Sequence, residues 1–474
     1  MITQLLKPYA KYKESNIPWI DSIPAHWCEK RSKYYFKEID QRSKTGEEEM
    51  LSVSHITGVT PRSQKNVSMF KAESNNDQKL CQPGDLIINT MWAWMAALGV
   101  SSYSGIVSPA YGVYRPKTNQ DYDSYYLDHL LRIEEYRSEY ICRSTGIRSS
   151  RLRLYPDKFL SMPIICPPQE EQTAITKFLK AQEYWFWKFI RNKRRLIELL
   201  KEQKQNVINQ AVTRGLDPNV RLKPSGVEWI GDIPEHWEVR KLKRVVSFNP
   251  SKSESRVNLQ QERKVVFLPM ENISVNGDID CAEKRPLSEV WNGFTYFRRG
   301  DVVIAKITPC FENGKGAYLK GFESDFGFGT TELIVLRPSK LIDGAFLRFL
   351  TSTKQFLLMG EQCMTGAAGQ HRISSDFVKN YPIGLPPIKE QQEILEHIQE
   401  KSADIDQTIS RTQREIELMR EYHTRLISDV VTGQVDVRNI EVPDVTEEEL
   451  LVLDEGGSVT NEVIDGEEGL DDVA

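Results

Sequence analysis

A nonapeptide that occurs twice limits how this chain can fold. Residues 19–27 read WIDSIPAHW and residues 229–237 read WIGDIPEHW, with six of nine positions identical and a displacement of 210 residues. Solenoid repeats recur at intervals of about 20 to 50 residues, and a recurrence over a longer distance indicates duplicated domains. The sequence therefore predicts two copies of one folding unit.

Further matches in the same order support the duplication. LKP precedes the nonapeptide in both copies, QPGDLII answers RRGDVVI, YRP answers LRP, and MPIICPPQEEQTAI answers YPIGLPPIKEQQEI. Each copy begins with short apolar runs broken by Gly, Pro, Ser and Asn, which predicts a mixed α/β domain. The Gly-Asp pairs in these matches predict a turn that leads into a strand.

The second part of each copy is a long run without Gly or Pro, over 169–214 and 388–432. A proline pair precedes each run and a glycine follows it, which is typical of the two ends of a helix. Apolar residues recur at steps that average about 3.5, the period of a left-handed coiled coil. They are Ile175, Leu179, Phe186, Phe189, Leu196, Leu200 and Val207, then Ile394, Ile398, Ile405, Ile409, Ile416, Met419, Leu426 and Val430.

Two such helices predict an antiparallel pair. The alternative, that each helix packs only on its own domain, suits a single helix of ordinary length, and these runs are several times longer than the mean of about three turns. The expected fold class is α+β: two α/β domains separated by two long helices in an antiparallel coiled coil, a pseudo-two-fold tandem duplication. We expect domains at 1–165 and 216–384, helices at 166–215 and 385–433, and a tail at 434–474.

Charge is distributed unevenly along the chain. The net charge is −5, but residues 441–474 hold thirteen Asp or Glu and no Lys or Arg, which leaves +8 for residues 1–440. A basic body permits nucleic-acid binding without proving it. The acidic composition predicts a disordered tail, for which a solubilising role is favoured over partner docking or DNA mimicry. Without a signal peptide or a long apolar run, the expected location is the cytoplasm.

No catalytic signature stands out in the sequence. The P-loop and the methyltransferase NPP-aromatic pattern are absent, and Lys306 lacks the carboxylate two residues earlier that a metal-dependent nuclease would need. The seven His show no metal-ligand spacing. His26 and His236 occupy equal places in the two nonapeptides, where a structural role is favoured over a catalytic one. We therefore expect a binding protein that binds no cofactor or metal of its own.

Two loops at equivalent places differ in their polar residues. Residues 143–153 hold four arginines, and the counterpart at 364–372 ends in Gln-His-Arg. Arg can bridge the guanine edge and Gln the adenine edge, although a solvated surface loop is the alternative for either one alone. Segments 92–97 and 307–316 also differ, and Trp92 could equally be core. The candidate DNA-binding residues are Arg148, Ser149, Arg151, Arg153, Trp92, Asn313, Lys315, Gln370, His371 and Arg372.

The pattern PPxxEQxxI, at 167–175 and 386–394, combined with WIxxIPxHW opening each copy, resembles the DNA-specificity subunit of type I restriction-modification systems. The resemblance covers the chain from about residue 6 to residue 433. It implies a non-catalytic subunit with two target-recognition domains, each reading one half of a bipartite double-stranded DNA site. The helices would act as a ruler, with half-sites about one DNA turn, or about 34 Å, apart.

The resemblance also implies partners. Two adenine methyltransferase subunits, which use S-adenosylmethionine, and two translocase-endonuclease subunits, which use ATP and Mg²⁺, would assemble on this chain, and no membrane would be involved. Two alternatives are a single-chain restriction enzyme, whose methylase and nuclease motifs are not found, and a free-standing DNA-binding regulator. Neighbouring methylase and helicase-nuclease genes would separate the regulator from the subunit.

Overall fold

The computed structural model describes residues 6–64, 76–118, 122–147, 152–255, 263–322, 324–367, 369–446 and 448–450. Its α-helices are α1 (Ser124–Arg132), α2 (Glu134–Arg143), α3 (Pro156–Ser161), α4 (Gln169–Arg214), α5 (Leu287–Val290), α6 (Gly344–Leu350), α7 (Lys354–Gln362), α8 (Ser375–Asn380) and α9 (Ile388–Val431). Its strands are β1 (Tyr12–Glu14), β2 (Ser22–Pro24), β3 (Cys28–Arg31), β4 (Phe36–Glu38), β5 (Leu51–Ser54), β6 (Gly58–Pro61), β7 (Lys79–Cys81), β8 (Leu86–Ile88), β9 (Leu98–Val100), β10 (Gly105–Val107), β11 (Gly112–Pro116), β12 (Pro163–Cys166), β13 (Leu222–Pro224), β14 (Asp232–Pro234), β15 (Glu238–Lys241), β16 (Val246–Phe248), β17 (Lys264–Leu268), β18 (Lys284–Pro286), β19 (Thr295–Arg298), β20 (Val302–Ala305), β21 (Gly316–Tyr318), β22 (Phe326–Gly329), β23 (Leu333–Pro338), β24 (Thr365–Ala367), β25 (Gln370–Arg372) and β26 (Pro382–Leu385).

The chain divides into two compact units. The first unit comprises residues 1–195 and 413–474, and the second unit comprises residues 196–412. Each unit therefore holds one globular region together with part of α4 and part of α9. The two helices run antiparallel in the first unit, since α4 positions 186 and 193 meet α9 positions 423 and 415.

The same four-stranded sheet occurs in both units. Its strand order is β4-β11-β8-β9 in the first unit and β16-β23-β20-β21 in the second, and all neighbours are antiparallel. The central strands β8 and β20 are buried along their whole length, so their runs of Leu, Val and Ile read as continuous apolar stretches. The second unit adds a sheet of order β18-β17-β22-β19, in which β17 and β22 are parallel.

The repeated Gly-Asp pairs are explained by a buried ion pair. Asp85 follows a turn, accepts a hydrogen bond from the Gln82 amide at 2.9 Å, and is bound through both oxygens by Arg115 at 2.8 Å. In the second unit Asp301 is bound by Arg337 at 2.7 and 2.9 Å. Both aspartates are 1% exposed. The predicted turn into a strand is confirmed, and the arginine of YRP or LRP neutralises its carboxylate.

The long helices lie where the sequence places them, but one seam position is wrong. Leu196 is 38% exposed, and Ile197 is buried in its place. An α-helix has 3.6 residues per turn, so a strict 3.5-residue stripe drifts around its surface along the helix. The seam of α9 agrees better, since its apolar positions from Ile394 to Val430 are buried or half-buried.

The prediction of a disordered tail from residue 434 is wrong for its first part. Val437 is 1% exposed, and three further apolar residues of the segment pack on the core of the first unit: Val435, Ile440 and Val442. The amide of Asp436 donates to the carbonyl of Lys7 at 2.8 Å. The acidic composition misleads here because four apolar side chains within eight residues bury enough surface to hold the segment. Residues 447 and 451–474 lie outside the described residues.

Candidate nucleic-acid interface

The repeated nonapeptide and the PPxxEQ pattern meet in each unit. Glu171 accepts hydrogen bonds from Trp27 Nε1 at 2.9 Å and from Tyr9 at 3.0 Å, and its other oxygen lies 2.5 Å from His26 Nε2. In the second unit Glu390 contacts Trp237 Nε1 at 3.0 Å and His236 Nε2 at 2.7 Å. Each histidine therefore contacts the glutamate that binds the tryptophan of its own nonapeptide, which is compatible with the predicted structural role.

The nonapeptide also touches the end of the other long helix. A Cβ on Gly433, whose φ is +76°, would lie 2.5 Å from Pro24 and 2.9 Å from Trp27. Gly215, with φ +77°, similarly faces Trp237. Only glycine suits this left-handed conformation in such close contact. In each unit the nonapeptide therefore packs where one long helix begins and the other ends.

The glutamine of the same pattern fixes a helix of the globular region. Gln172 Oε1 accepts from the Asp123 amide at 2.7 Å, and Asp123 caps α1 by accepting from two backbone amides. Gln391 Oε1 accepts from the Asp343 amide at 2.8 Å, and Asp343 caps α6 in the same way. Both glutamines are almost fully buried. The shared residues of the two copies thus build a common frame.

In the second unit the two predicted loops come together. Strands β24 and β25 form a hairpin that carries Gln370, His371 and Arg372. Thr308, in the other loop, donates to the carbonyl of Gly369 at 3.0 Å and accepts from the His371 amide at 3.1 Å. Gln370 and His371 are exposed. The hairpin therefore presents polar side chains from a position fixed by the neighbouring loop.

Arg372 is not free at this surface. Its Nε and Nη2 bind the two oxygens of Glu332 at 2.9 and 3.0 Å. The hydrogen bond from Arg372 holds the pKa of Glu332 below its usual value, with a smaller contribution from Lys306. To bridge a base edge, the guanidinium would have to leave this carboxylate.

Of the remaining candidates in the second unit, Asn313 is exposed and Lys315 is half-buried. Lys315 Nζ donates to the carbonyl of Met270 at 3.2 Å, which holds the ammonium against the protein. Asn313 and Lys315 therefore lie in the same region as the hairpin. Their loop follows the C-terminal end of β20, and Thr308 of that loop contacts the hairpin.

The first unit repeats the arrangement with different side chains. The backbones of Thr145 and Arg153 bond to each other in both directions at 3.0 Å, and the Leu154 amide donates to the carbonyl of Thr90 at 2.9 Å. Arg153 is exposed and Trp92 is half-buried. Arg148, Ser149 and Arg151 lie outside the described residues, so only the base of this loop is placed.

Two arginines that donate to loop carbonyls were missed from the sequence. Arg348 is 8% exposed and donates to the carbonyls of Gly316 at 2.7 Å, Gly314 at 3.0 Å and Val275 at 3.2 Å. Burial lowers its pKa to about 10. In the first unit Arg132 donates to the carbonyls of His55 at 2.7 Å and Ile56 at 2.6 Å. Both arginines lie on the helices that Asp123 and Asp343 cap, Arg132 at the end of α1 and Arg348 within α6.

A family model for the type I restriction modification DNA specificity domain matches residues 234–418. The chain is 35% identical over 212 residues to the specificity subunit of the type I restriction enzyme EcoAI of Escherichia coli, covering 44% of this chain and 35% of that relative. It is 31% identical over 248 residues to the EcoEI specificity subunit of the same species, covering 52% and 40%. Residues 234–418 therefore resemble the DNA specificity domain of type I restriction-modification systems.

A solved chain from work on the assembly and conformational transition of a type I restriction-modification system shares its fold with this chain. The TM-score is 0.59 at 15% identity, over 87% of this chain and 99% of that one. The predicted α+β fold class, two α/β domains and a pair of long helices, is confirmed. The alignments span well under two thirds of the two curated relatives' own length.

The described part of the chain contains no helix long and apolar enough to cross a membrane. Within the same ranges, no three His, Cys, Asp or Glu side chains converge as the ligands of a metal ion would.

Proposed function

We propose that the chain reads a bipartite double-stranded DNA site with one recognition domain for each half-site. The proposal rests on one observation: the two units share a set of side-chain contacts, whereas their loops at equivalent places differ. The shared side-chain contacts are at Glu171 and Glu390, Gln172 and Gln391, and Asp85 and Asp301. The loops at equivalent places carry different polar residues, as expected if two half-sites differ in sequence.

The chemistry of the loops suits base edges and phosphates. Gln370 can bridge the N6 and N7 of adenine, and an arginine can bridge the O6 and N7 of guanine. Lys306 lies near Arg372 and Glu332, so the second unit presents two cations around one carboxylate. For the first unit the corresponding groups would be Arg153 with the arginines at 148 and 151. Phosphate contacts would set the register, and base contacts the specificity.

In this proposal the chain is non-catalytic and acts in the cytoplasm by recruiting other subunits. Two adenine methyltransferase subunits would supply S-adenosylmethionine chemistry, and two motor-nuclease subunits would use ATP and Mg²⁺. The chain would bind no cofactor itself and would decide only where the complex sits. Support comes from the match of residues 234–418 to the specificity-domain model and from the two curated relatives, each named the specificity subunit of a type I restriction enzyme.

The test is to map methylated adenines by long-read sequencing in cells that express the full chain with its own methyltransferase subunit. One bipartite motif should appear, and it should be lost without this chain. Replacing Gln370, His371 and Arg372 with alanine should alter one half-site and leave the other unchanged. Specific DNA binding by the chain with no dependence of methylation on it would favour a free-standing regulator.

A further inference from the structure

The long helices of the first unit form an apolar groove that the proposed function does not use. Its volume is about 340 Å³. From α4 it is lined by Phe178, Trp185, Phe186 and Phe189, and from α9 by Met419, Tyr422, His423 and Leu426. Trp185 and Tyr422 are 38% and 51% exposed. Large aromatic side chains left open in one patch mark a binding surface.

The second unit has no such aromatic set at the equivalent helix positions. The places of Phe178, Trp185, Phe186 and Phe189 are taken on α9 by His397, Asp404, Ile405 and Thr408. Lys204 stands where the first unit has Tyr422, and its ammonium binds Asp406 at 2.7 Å. Duplication would give both units the same helix surface. An aromatic groove in the first unit alone therefore indicates a function specific to that unit.

The C-terminal tail belongs to the unit that has the groove. After α9 the chain turns at Gly433, and Val442 packs against the core cluster that contains Phe178. Asp444 then binds Lys177, the neighbour of Phe178, at 2.7 Å. The tail therefore reaches the edge of the groove before the described residues end.

A helix begins where the tail reaches this edge. The Thr446 hydroxyl accepts from the Glu449 amide at 3.2 Å, and the Glu449 carboxylate accepts from the Thr446 amide at 2.9 Å. This reciprocal pair is a capping box, which marks a helix N-terminus. The residues that follow, 450–453, read Leu-Leu-Val-Leu and precede Asp454 and Glu455.

We propose that the groove is the docking site of the chain's own residues 450–455. The groove runs for about 15 to 20 Å along α4 from its edge at Phe178, at about 1.5 Å per residue. Ten residues from Asp444 suffice to span that distance, because even a helical chain rises about 1.5 Å per residue. The leucines would cover the aromatic rings, and tethering to α9 makes the binding intramolecular, so a short apolar segment suffices.

Charge complementarity favours the same occupant. Lys188 lines the groove, and Arg194 and Arg420 lie at its far end, each within two residues of a lining position. Burial, and then repulsion from Arg420, lower the pKa of Arg194. Residues 454 and 455 of the tail carry the carboxylates that would relieve this repulsion.

Photo-crosslinking in the full-length chain tests the proposal. With p-benzoylphenylalanine in place of Val452, mass spectrometry should find intramolecular crosslinks to 178–192 or 419–426, with a yield independent of protein concentration. The same photoprobe in place of Val463, farther along the same tail, is the matched control for mere tethering and should give little of this product. Crosslinks that join two copies, that fall elsewhere on the chain, or that do not form would each overturn the proposal.

Two variants, one in the groove and one beside it, test whether the crosslink depends on docking in the groove. Trp185→Glu should remove most of the crosslink from position 452 because it places a charge among the rings. Leu418→Glu changes a residue that is 48% exposed beside the groove but does not line it, and it should leave the crosslink intact. Equal yields in the two variants would contradict the proposal. The readout is independent of DNA binding, so its failure would not count against the proposed function.

Discussion

The indole nitrogen of Trp27 donates a 2.9 Å hydrogen bond to Glu171, and so joins the repeated nonapeptide to the first turn of α4. Trp237 and Glu390 repeat this contact in the second unit at 3.0 Å. Both indoles are fully buried, and a buried N–H without a partner is costly. The two motifs that recur along the sequence are therefore two halves of one contact.

Removing this carboxylate should destabilise the first unit more than the second. Glu171→Ala would leave the buried Trp27 N–H and the Tyr9 hydroxyl without their acceptor, and we expect a loss of about 1–3 kcal/mol. Glu390→Ala is the matched variant, and its loss should be smaller because the Glu390 side chain is 22% exposed and has no tyrosine partner of this kind among the described contacts. Urea unfolding followed by tryptophan fluorescence measures both. A larger loss for Glu390→Ala would contradict this account.

The ion pair between Arg372 and Glu332 leads to a prediction about the affinity and the sequence specificity of DNA binding by the second unit. Arg372→Ala should weaken binding to the cognate site about tenfold or more if the guanidinium reads a base. Arg372→Lys should lose the same discrimination, since an ammonium cannot make the paired contact, but should bind random DNA nearly as well as the unaltered chain. Gel-shift titrations on cognate and random duplexes check this, and equal losses on both would assign Arg372 to phosphate.

Glu332 should lower the affinity of the second unit for random DNA. Glu332→Gln frees the guanidinium and removes a negative charge from the loop surface, so affinity for random DNA should rise. The low pKa of Glu332 means that the ion pair persists above its ordinary value of 4.5 and is lost only as the pH falls below it. Because the pair stays intact, it should add no pH dependence to DNA binding by the unaltered chain between about pH 6 and pH 8. A titration step in that range that vanishes in Glu332→Gln would refute the assignment.

Arg348 and Arg132 should each affect only their own half-site. Arg348→Met removes three donors to carbonyls of the loops near Asn313 and Lys315, and a looser loop should weaken reading of the second half-site by about tenfold. Arg132→Met removes the donors to His55 and Ile56 and should weaken the first half-site instead. Competition with duplexes altered in one half-site separates these effects. Equal weakening at both half-sites would indicate general destabilisation.

His423 predicts a loss of stability in acid. Burial lowers its pKa to about 4 despite the nearby Glu183, and its ring stacks on Phe186 at 4.0 Å. A histidine whose folded pKa lies below its ordinary 6.5 contributes stability above that value, and loses it as the pH falls towards 4. His423→Phe should therefore flatten the fall in thermal midpoint between pH 6.5 and pH 4.5, roughly. Glu183 and His129 remain in both proteins, so an unchanged slope would exclude His423 as the cause.

The frame was predictable from the sequence because the two copies could be compared with each other. The paired prolines and glycines gave the ends of α4 and α9, and the shared GD and EQ patterns proved to be buried polar contacts. The exposure of Leu196 was not predictable, since it depends on how the helices wind around each other. Nor was the pairing of Arg372 with Glu332, because 40 residues separate them and nothing in the duplicated pattern links them.

Under the proposed function, the length of the helix pair sets the spacer between half-sites. Ion pairs link α4 and α9 at 193 with 415 and at 204 with 406, so opposed positions sum to about 609. Deleting 196–202 and 407–413 together removes one matched heptad and keeps the seam on the same face. The pair shortens by about 10 Å at 1.5 Å per residue, which corresponds to about three base pairs at 3.4 Å each.

Methylation mapping should then show unchanged half-sites and a spacer about three base pairs shorter. The recognition loops stay intact, and only the helix pair becomes shorter. Deleting 196–202 alone is the matched control. It leaves the opposed heptad without a partner, so methylation should fall at every spacer length instead of moving to a new one. Altered half-sites with the original spacer would show that the helices do not set the distance.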